Sequence, residues 1–251
     1  MSSKNSIKLT FLGTGTSQGV PVIACNCEVC LSEDSKDTRL RSSVLIETQG
    51  VRFAIDSGPD FRQQMLRENI QHLDAIVFTH EHKDHVAGLD DVRAFNFKSK
   101  VSMPIYCTDQ VFQSLSREFH YVFDPKFLYP GIPKIEPYII TNELFKVKGV
   151  EVLPIKVFHY RLPVFGYRIG DVTYITDANK IAPEEFEKMR GSKILVLNAL
   201  RKTEHISHFT LEEAIAIIKE IQPEKAYLTH ISHLMGKHDD VSKELPDNVE
   251  I

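Results

Sequence analysis

The sequence predicts an α/β fold, two mixed β-sheets packed face to face with helices outside. Three observations carry this. Short strands come in two runs, one in each half of the chain, and each run is interleaved with helices. The strongest helical period lies between two apolar strands near the C-terminus. Apolar strands also end repeatedly in a polar residue, at His80, Asp177, Asn198 and His230. Sites in such sheets collect at the carboxyl ends of buried strands.

The elements follow in order. "IKLTFLG" (7–13), "SVLIET" (43–48) and "VRFAIDS" (51–57) are rich in β-branched and aromatic residues and stop at turn residues. Only Gln49-Gly50 separates the second from the third, which predicts a hairpin and antiparallel pairing. "PDFRQQMLREN" opens with Pro59 and has helical spacing at Phe61, Met65 and Leu66. "DAIVFTH" (74–80) reads as a strand covered on both faces. "MPIYCT" is a further strand, followed by a helix over "DQVFQSLSREF" with Asp109 as its N-cap. The stretch 120–137 is rich in proline and aromatics and is expected to be an irregular loop or lid. "EVLPIKVFH", "FGYRIG" and "VTYITD" are consecutive strands, "PEEFEKMR" a helix and "KILVLNAL" a buried strand. "TLEEAIAIIKEI" predicts a helix with a Thr210/Glu213 capping box and an apolar face of Leu211, Ala214, Ile215, Ile218 and Ile221. "KAYLTH" (225–230) is a last buried strand. Repeats, heptads and low-complexity linkers are absent, so one domain over 1–251 is expected.

Composition narrows the function classes. Apolar residues at 42% and charged residues at 25% suit a globular chain with a real core. The net charge is -4 and no Lys/Arg block exceeds two residues, which argues against a large surface for long nucleic acid. The N-terminal "MSSKNSIKLTFLG" lacks the apolar run of a signal peptide, so the expected compartment is the cytosol, with no membrane partner. In a reducing compartment the trio Cys25, Cys27 and Cys30 reads as metal ligation sooner than as disulfides. Three thiolates leave a tetrahedral site one ligand short. Cys107, within "MPIYCT", is expected to be a buried small hydrophobe.

"FTHEHKDHVAGL" (78–89) concentrates ligand-capable side chains at His80, His82, Asp84 and His85, directly after a buried strand. Neutral imidazole and carboxylate suit zinc, iron or manganese. Partners from elsewhere are His159, Asp177 and His230, each closing an apolar strand. "GTGTSQGVP" (13–21) follows a strand and could present amides to a phosphate, although turn formation explains its glycines equally well.

"THEHKDH" resembles the THxHxDH signature of the metallo-β-lactamase superfamily, whose fold is an αβ/βα four-layer sandwich with two metals at its edge. The resemblance covers nearly the whole chain. "FLGTGTSQGVP", the Cys-x-Cys-x-x-Cys segment and "LTHISH" make it similar to the PhnP-type branch, phosphodiesterases of 1,2-cyclic ribose phosphates related to tRNase Z. The branch usually continues a little past a segment like "PDNVEI".

The resemblance implies His80, His82 and His159 on one metal, Asp84, His85 and His230 on the second, and Asp177 bridging both. It implies two catalytic divalent metals, zinc or manganese, which share a hydroxide, and one structural zinc on Cys25, Cys27, Cys30 and His233. Asp84 counts among the catalytic residues as well as the ligands. Asp56, in "AIDSGPD", matches a position that orients the histidine turn by hydrogen bonding. His208, just before the helix that starts near Thr210, matches the general acid, with His205 as its nearby competitor.

The implied activity is hydrolysis of a small cyclic phosphodiester, of 5-phosphoribosyl 1,2-cyclic phosphate or 2′,3′-cyclic nucleotide type. The expected partner is that substrate, and a homodimer is left open. A tRNase Z-like endoribonuclease shares every ligand. The 18-residue interval from His159 to Asp177, however, leaves no room for a tRNA-gripping arm. A non-enzymatic carrier, such as the superfamily protein of pyrroloquinoline quinone synthesis, is the alternative from another class.

Overall fold

The computed structural model describes residues 6–127 and 129–251, so Met1–Asn5 of the N-terminal segment and Leu128 of the 120–137 stretch lie outside it. The chain divides into two compact units. The first takes residues up to Leu12 together with Ser43–Val150, the second Gly13–Ser42 with Glu151–Ile251.

The first unit is built on strands β1 (Lys8–Gly13), β2 (Ser43–Thr48), β3 (Val51–Ile55), β4 (Ala75–Val77), β5 (Met103–Cys107) and β6 (Ile135–Ile139), hydrogen-bonded in that order, with β7 (Phe145–Val147) after them. β2 and β3 form the expected antiparallel hairpin, Val44 opposite Ile55 and Thr48 opposite Val51, and β3 through β6 run parallel. The sheet is therefore mixed. Helices α1 (Phe61–Arg67), α2 (Lys83–Val86), α3 (Arg93–Ser99), α4 (Asp109–Glu118) and α5 (His120–Phe123) connect these strands. Phe61, Ile76, Phe78, Val86, Leu89 and Ile105 form the centre of its core. Cys107 is fully buried there, and burial pushes its thiol up to about 12, so it is the small hydrophobe expected.

Two expectations change. Thr108, not Asp109, caps α4: its hydroxyl accepts the Val111 N–H while its own backbone stays extended, and Asp109 falls in the first turn. The stretch 120–137 is not one irregular loop. It holds α5, a 3-10 turn at Pro125–Phe127 and the start of β6, whose Pro137 sits on an edge strand where a missing N–H costs no ladder bond.

The second unit holds β8 (Val150–His159), β9 (Leu162–Ile169), β10 (Val172–Ile175), β11 (Lys180–Ile181), β12 (Ile194–Asn198), β13 (Lys225–Thr229) and β14 (Val249–Glu250), in the order β11-β8-β9-β10-β12-β13-β14. β8, β9 and β10 pair antiparallel, and β10, β12, β13 and β14 parallel. α6 (Pro183–Met189), α7 (Leu211–Ile221) and α8 (His238–Ser242) complete it. α7 carries the capping box in full: the Thr210 hydroxyl accepts the Glu213 N–H, and the Glu213 carboxylate accepts the Thr210 N–H. Ala214, Ile218 and Ile221 are buried against Leu195, Leu197 and Leu228 of the core, and Leu211 and Ile215 partly so. Two mixed sheets with helices are the fold class that the sequence predicts. No helix among the described residues is long and apolar enough to cross a membrane.

Thr210→Ala removes the hydroxyl half of the box and is expected to lower stability by about 1 kcal/mol, read as a shift of the urea midpoint at constant slope.

Candidate functional site

In the first unit the ligand-capable side chains follow from how β3 and β4 end. β3 stops at Asp56, whose φ of 66° puts it in the left-handed region, where aspartate is among the less disfavoured non-glycine residues. Its carboxylate is fully buried and accepts three hydrogen bonds: the Thr79 N–H at 2.8 Å, the Thr79 hydroxyl at 2.8 Å and His85 Nδ1–H at 2.7 Å. Burial pushes the Asp56 carboxyl upward, and the His85 ring and the Thr79 donors pull against it.

These bonds set tautomers. A carboxylate only accepts, so His85 carries a proton on Nδ1, and its Nε2 lies 3.1 Å from Asp84 Oδ2, where a lone pair and a carboxylate oxygen are compatible only with a cation between them. The Thr79 hydroxyl spends its proton on Asp56 and so accepts from His80 Nδ1, 3.0 Å away, which leaves His80 Nε2 as a lone pair too. The His80 ring lies 4.6 Å from His82 and 4.2 Å from His85. Gly58 makes the turn fit: a Cβ there would meet the Asp84 carbonyl oxygen at 1.9 Å.

In the second unit β8 ends at His159, and β10 and β13 run on into Asp177 and His230, which adopt left-handed φ values of 54° and 57°. His159 Nδ1 is 2.9 Å from the Ser207 carbonyl, which can only accept, so its Nε2 is again the lone pair. The Thr176 hydroxyl donates to Asp177 Oδ1 at 2.6 Å, and His230 Nδ1 lies 2.9 Å from the same oxygen. Asn198, at the end of β12, brackets Ala178 with two 2.9 Å bonds and so fixes the turn after Asp177.

His208 is buried, its Nε2 3.5 Å from Asp177 Oδ2 and its ring stacked on His230 at 4.8 Å. Ligand atoms of His159, Asp177 and His208 all lie within 4.8 Å of one another. His205 Nδ1 is 3.2 Å from His208 Nδ1. Burial, and after it the neighbouring His208, holds His205 below the ordinary histidine range.

Amides of the glycine-rich stretch after β1 are taken up by the protein itself. The N–H groups of Gly15, Thr16 and Gly19 donate to the carbonyls of Leu40, Ile231 and Thr16. A Cβ on Gly13 would meet the Arg41 carbonyl oxygen at 2.1 Å. Its glycines allow close backbone packing, and Thr16 Oγ1 reaches His230 Nε2 at 3.3 Å.

The second unit also contains the cysteine trio. Sγ of Cys25, Cys27 and Cys30 lie 3.2, 3.3 and 3.5 Å from His233 Nδ1. The Cys30 N–H, then His233, holds Cys27 down to about 6, whereas burial pushes Cys30 up to about 11. Cys27 is thus favoured as a thiolate and Cys30 as a thiol, and adjacent thiolates call for a cation. Four soft donors within 4.8 Å of one another suit a closed tetrahedral zinc site.

Residues 51–231 match the model of the β-lactamase superfamily domain. The chain belongs to the metallo-β-lactamase superfamily. Within it the chain is of PhnP type: it is 38% identical to a crystal structure described as a new diphosphatase from the PhnP family, over 98% of this chain and 94% of that one, with a TM-score of 0.91. Zinc-bound PqqB from Methylobacterium extorquens is 20% identical over 98% of this chain and 97% of that one, with a TM-score of 0.77, and shares the fold. A curated protein of Porphyromonas gingivalis named octanoyltransferase is 41% identical over 246 residues, 97% of this chain. The chain spans about half the length of that relative, 49%. The superfamily's αβ/βα sandwich is the fold class read from the sequence, and its metal dependence agrees with the imidazole and carboxylate donors found at the strand ends.

Sequence reading placed His80, His82, Asp84, His85 and Asp56 together, and the first unit does so. It likewise put His159, Asp177 and His230 at strand ends of the second, and His208 just before α7. It missed Thr79, Thr176 and Ser207, which act through hydroxyl or carbonyl groups and carry no motif of their own. Asn198 was visible only as another polar strand end.

Cys27→Ser is expected to release one equivalent of zinc and to lower the melting temperature by at least about 5 °C, while the remaining metal stays bound. Elemental analysis alongside calorimetry measures both.

Proposed function

We propose that the chain is a binuclear metal-dependent phosphodiesterase acting on small cyclic phosphodiesters of 5-phosphoribosyl 1,2-cyclic phosphate or 2′,3′-cyclic nucleotide type, in the cytosol. The ligand set carries this reading. His80, His85 and His159 have tautomers fixed by Thr79, Asp56 and Ser207 so that each offers Nε2, and each unit adds a carboxylate, Asp84 in the first and Asp177 in the second. We assign His80, His82 and His159 to one metal, Asp84, His85 and His230 to the other, and Asp177 to both. The third metal is the zinc on Cys25, Cys27, Cys30 and His233.

Two divalent metals, when bound, supply an activated water and neutralise phosphate charge. The protein must supply what the metals do not, a proton for the departing ring oxygen. His208 is buried, close to Asp177 and held at Nδ1, so its Nε2 is the end available to deliver that proton. Asp56 keeps His85 oriented through the cycle.

A second reading has an observation of its own: the 38% identical PhnP-family structure is described as a diphosphatase. A diphosphate bridge presents the same charged phosphorus and the same need for an acid at the bridging oxygen. The octanoyltransferase name describes a protein twice as long, and we infer that its transfer activity resides in the half this chain does not match.

The test is a panel of ribose 1,2-cyclic phosphate, 2′,3′-cyclic nucleotides, bis(p-nitrophenyl) phosphate, a diphosphate-linked nucleoside and a pre-tRNA, assayed with metal analysis. Turnover of the cyclic phosphates with three metals per chain is expected. Preference for the diphosphate selects the second reading, and cleavage of the pre-tRNA alone overturns both.

Asp177→Ala is expected to be the most damaging single ligand change, lowering kcat/KM by about 10²-fold or more and depleting both catalytic metals. Near wild-type turnover with both metals held would remove the bridge assignment.

His208→Ala is expected to lower kcat by about 10²–10⁴-fold on an alkyl-type cyclic ribose phosphate, with metal content unchanged. The loss should be much smaller on bis(p-nitrophenyl) phosphate, whose leaving group is already a stable anion. Equal losses on both would make His208 a support of phosphate or metal.

A further inference from the structure

We infer that His205 is a positioning residue: its ring accepts a hydrogen bond from His208 Nδ1–H and thereby fixes His208 Nε2 as the proton-donating end. The inference rests on the reading of His208 as the acid.

The Ser207 N–H points at His205 Nδ1 from 3.3 Å, and an amide N–H can only donate, so His205 Nδ1 is a lone pair and its proton sits on Nε2. His208 Nδ1 lies 3.2 Å from that same atom. Two bare nitrogen lone pairs would repel at this distance, so His208 Nδ1 carries the proton. The Ser207 hydroxyl, 3.1 Å from His208 Nδ1 and 3.3 Å from His205 Nδ1, bridges the pair and gives His208 a second acceptor.

The consequence for proton transfer balances. When His208 is the imidazolium, Nδ1–H is committed to His205 and Nε2–H is the proton that can leave. It passes to the departing oxygen as that oxygen takes the electron pair of the breaking P–O bond. His208 then remains as the neutral Nδ1–H tautomer, the one that His205 already favours, and no proton moves to His205. The arrangement resembles an orienting carboxylate behind a catalytic histidine, with a neutral acceptor in place of the charge.

The experiment uses the zinc-loaded enzyme. His205→Leu should lower kcat on ribose 1,2-cyclic phosphate by about tenfold or more, with KM and metal content unchanged and a much smaller loss on bis(p-nitrophenyl) phosphate. His205→Asn places an amide oxygen near the position of Nδ1 and should restore most of the rate. In a His208→Ala background, His205→Leu should add nothing. Nitrogen-15 correlation spectra of the histidine rings should show His205 protonated at Nε2 and His208 at Nδ1 in the neutral form. Protonation of His205 at Nδ1, an Asn variant as impaired as the Leu variant, or independent losses in the double variant would overturn the inference. So would full activity of His205→Leu beside a loss in Ser207→Ala, which would make the hydroxyl the acceptor. If His208→Ala itself loses equally on both substrates, the acid assignment fails, and the ring spectra still decide the contact with His205.

Discussion

A charged or ligand-capable side chain at the end of a buried strand has to be held by bonds that the strand itself cannot supply. In this protein that constraint shapes both units. β3, β10 and β13 each lead into a residue with left-handed backbone, Asp56, Asp177 and His230, which turns the side chain out of the strand's alternation. Such a backbone costs on the order of 1–2 kcal/mol, and it persists where surrounding contacts overdetermine it. The contacts are present: Asp56 accepts three hydrogen bonds, and Asn198 closes both backbone bonds around Ala178 just beyond Asp177.

The second consequence is that ligands are aimed by residues that do not ligate. Groups that can only accept, a carboxylate and a carbonyl, fix His85 and His159 in the same tautomer, and the Thr79 hydroxyl does so for His80 by spending its own proton first. Three imidazoles therefore offer the same nitrogen, and no ring need flip before binding an ion. The His205–Ser207–His208 cluster follows the same logic one step further out, with a backbone N–H deciding which histidine donates.

The cysteine cluster is chemically separate from this. Its donors are three thiols and one imidazole, with no carboxylate and no open position, so it suits a closed zinc and offers nothing to a substrate. It joins residues some 200 positions apart in the chain, Cys25 to His233, within one compact unit. Loop closure over such a distance is where a metal cross-link can contribute most.

The sequence by itself determined the elements with strong periodicity or strong punctuation. The Gln49-Gly50 hairpin, the buried strands over 75–77, 194–198 and 225–229, and the Thr210 box of α7 were legible because apolar runs and capping chemistry are local. The candidate ligands were legible too, since histidines, aspartates and cysteines at strand ends or in tight spacing are rare by chance. Tertiary structure decided what depends on a neighbour distant in sequence. Thr79 is an ordinary strand residue until Asp56, 23 positions away, accepts both of its protons. The glycines of 13–19 suggest an anion loop until the carbonyls of Leu40 and Ile231 take up the amides of Gly15 and Thr16. β6 was hidden because an exposed edge strand lacks the apolar alternation that burial imposes. The difference between His205 and His208 is of the same kind: the two are chemically alike in sequence, and only the direction of one N–H bond separates their roles.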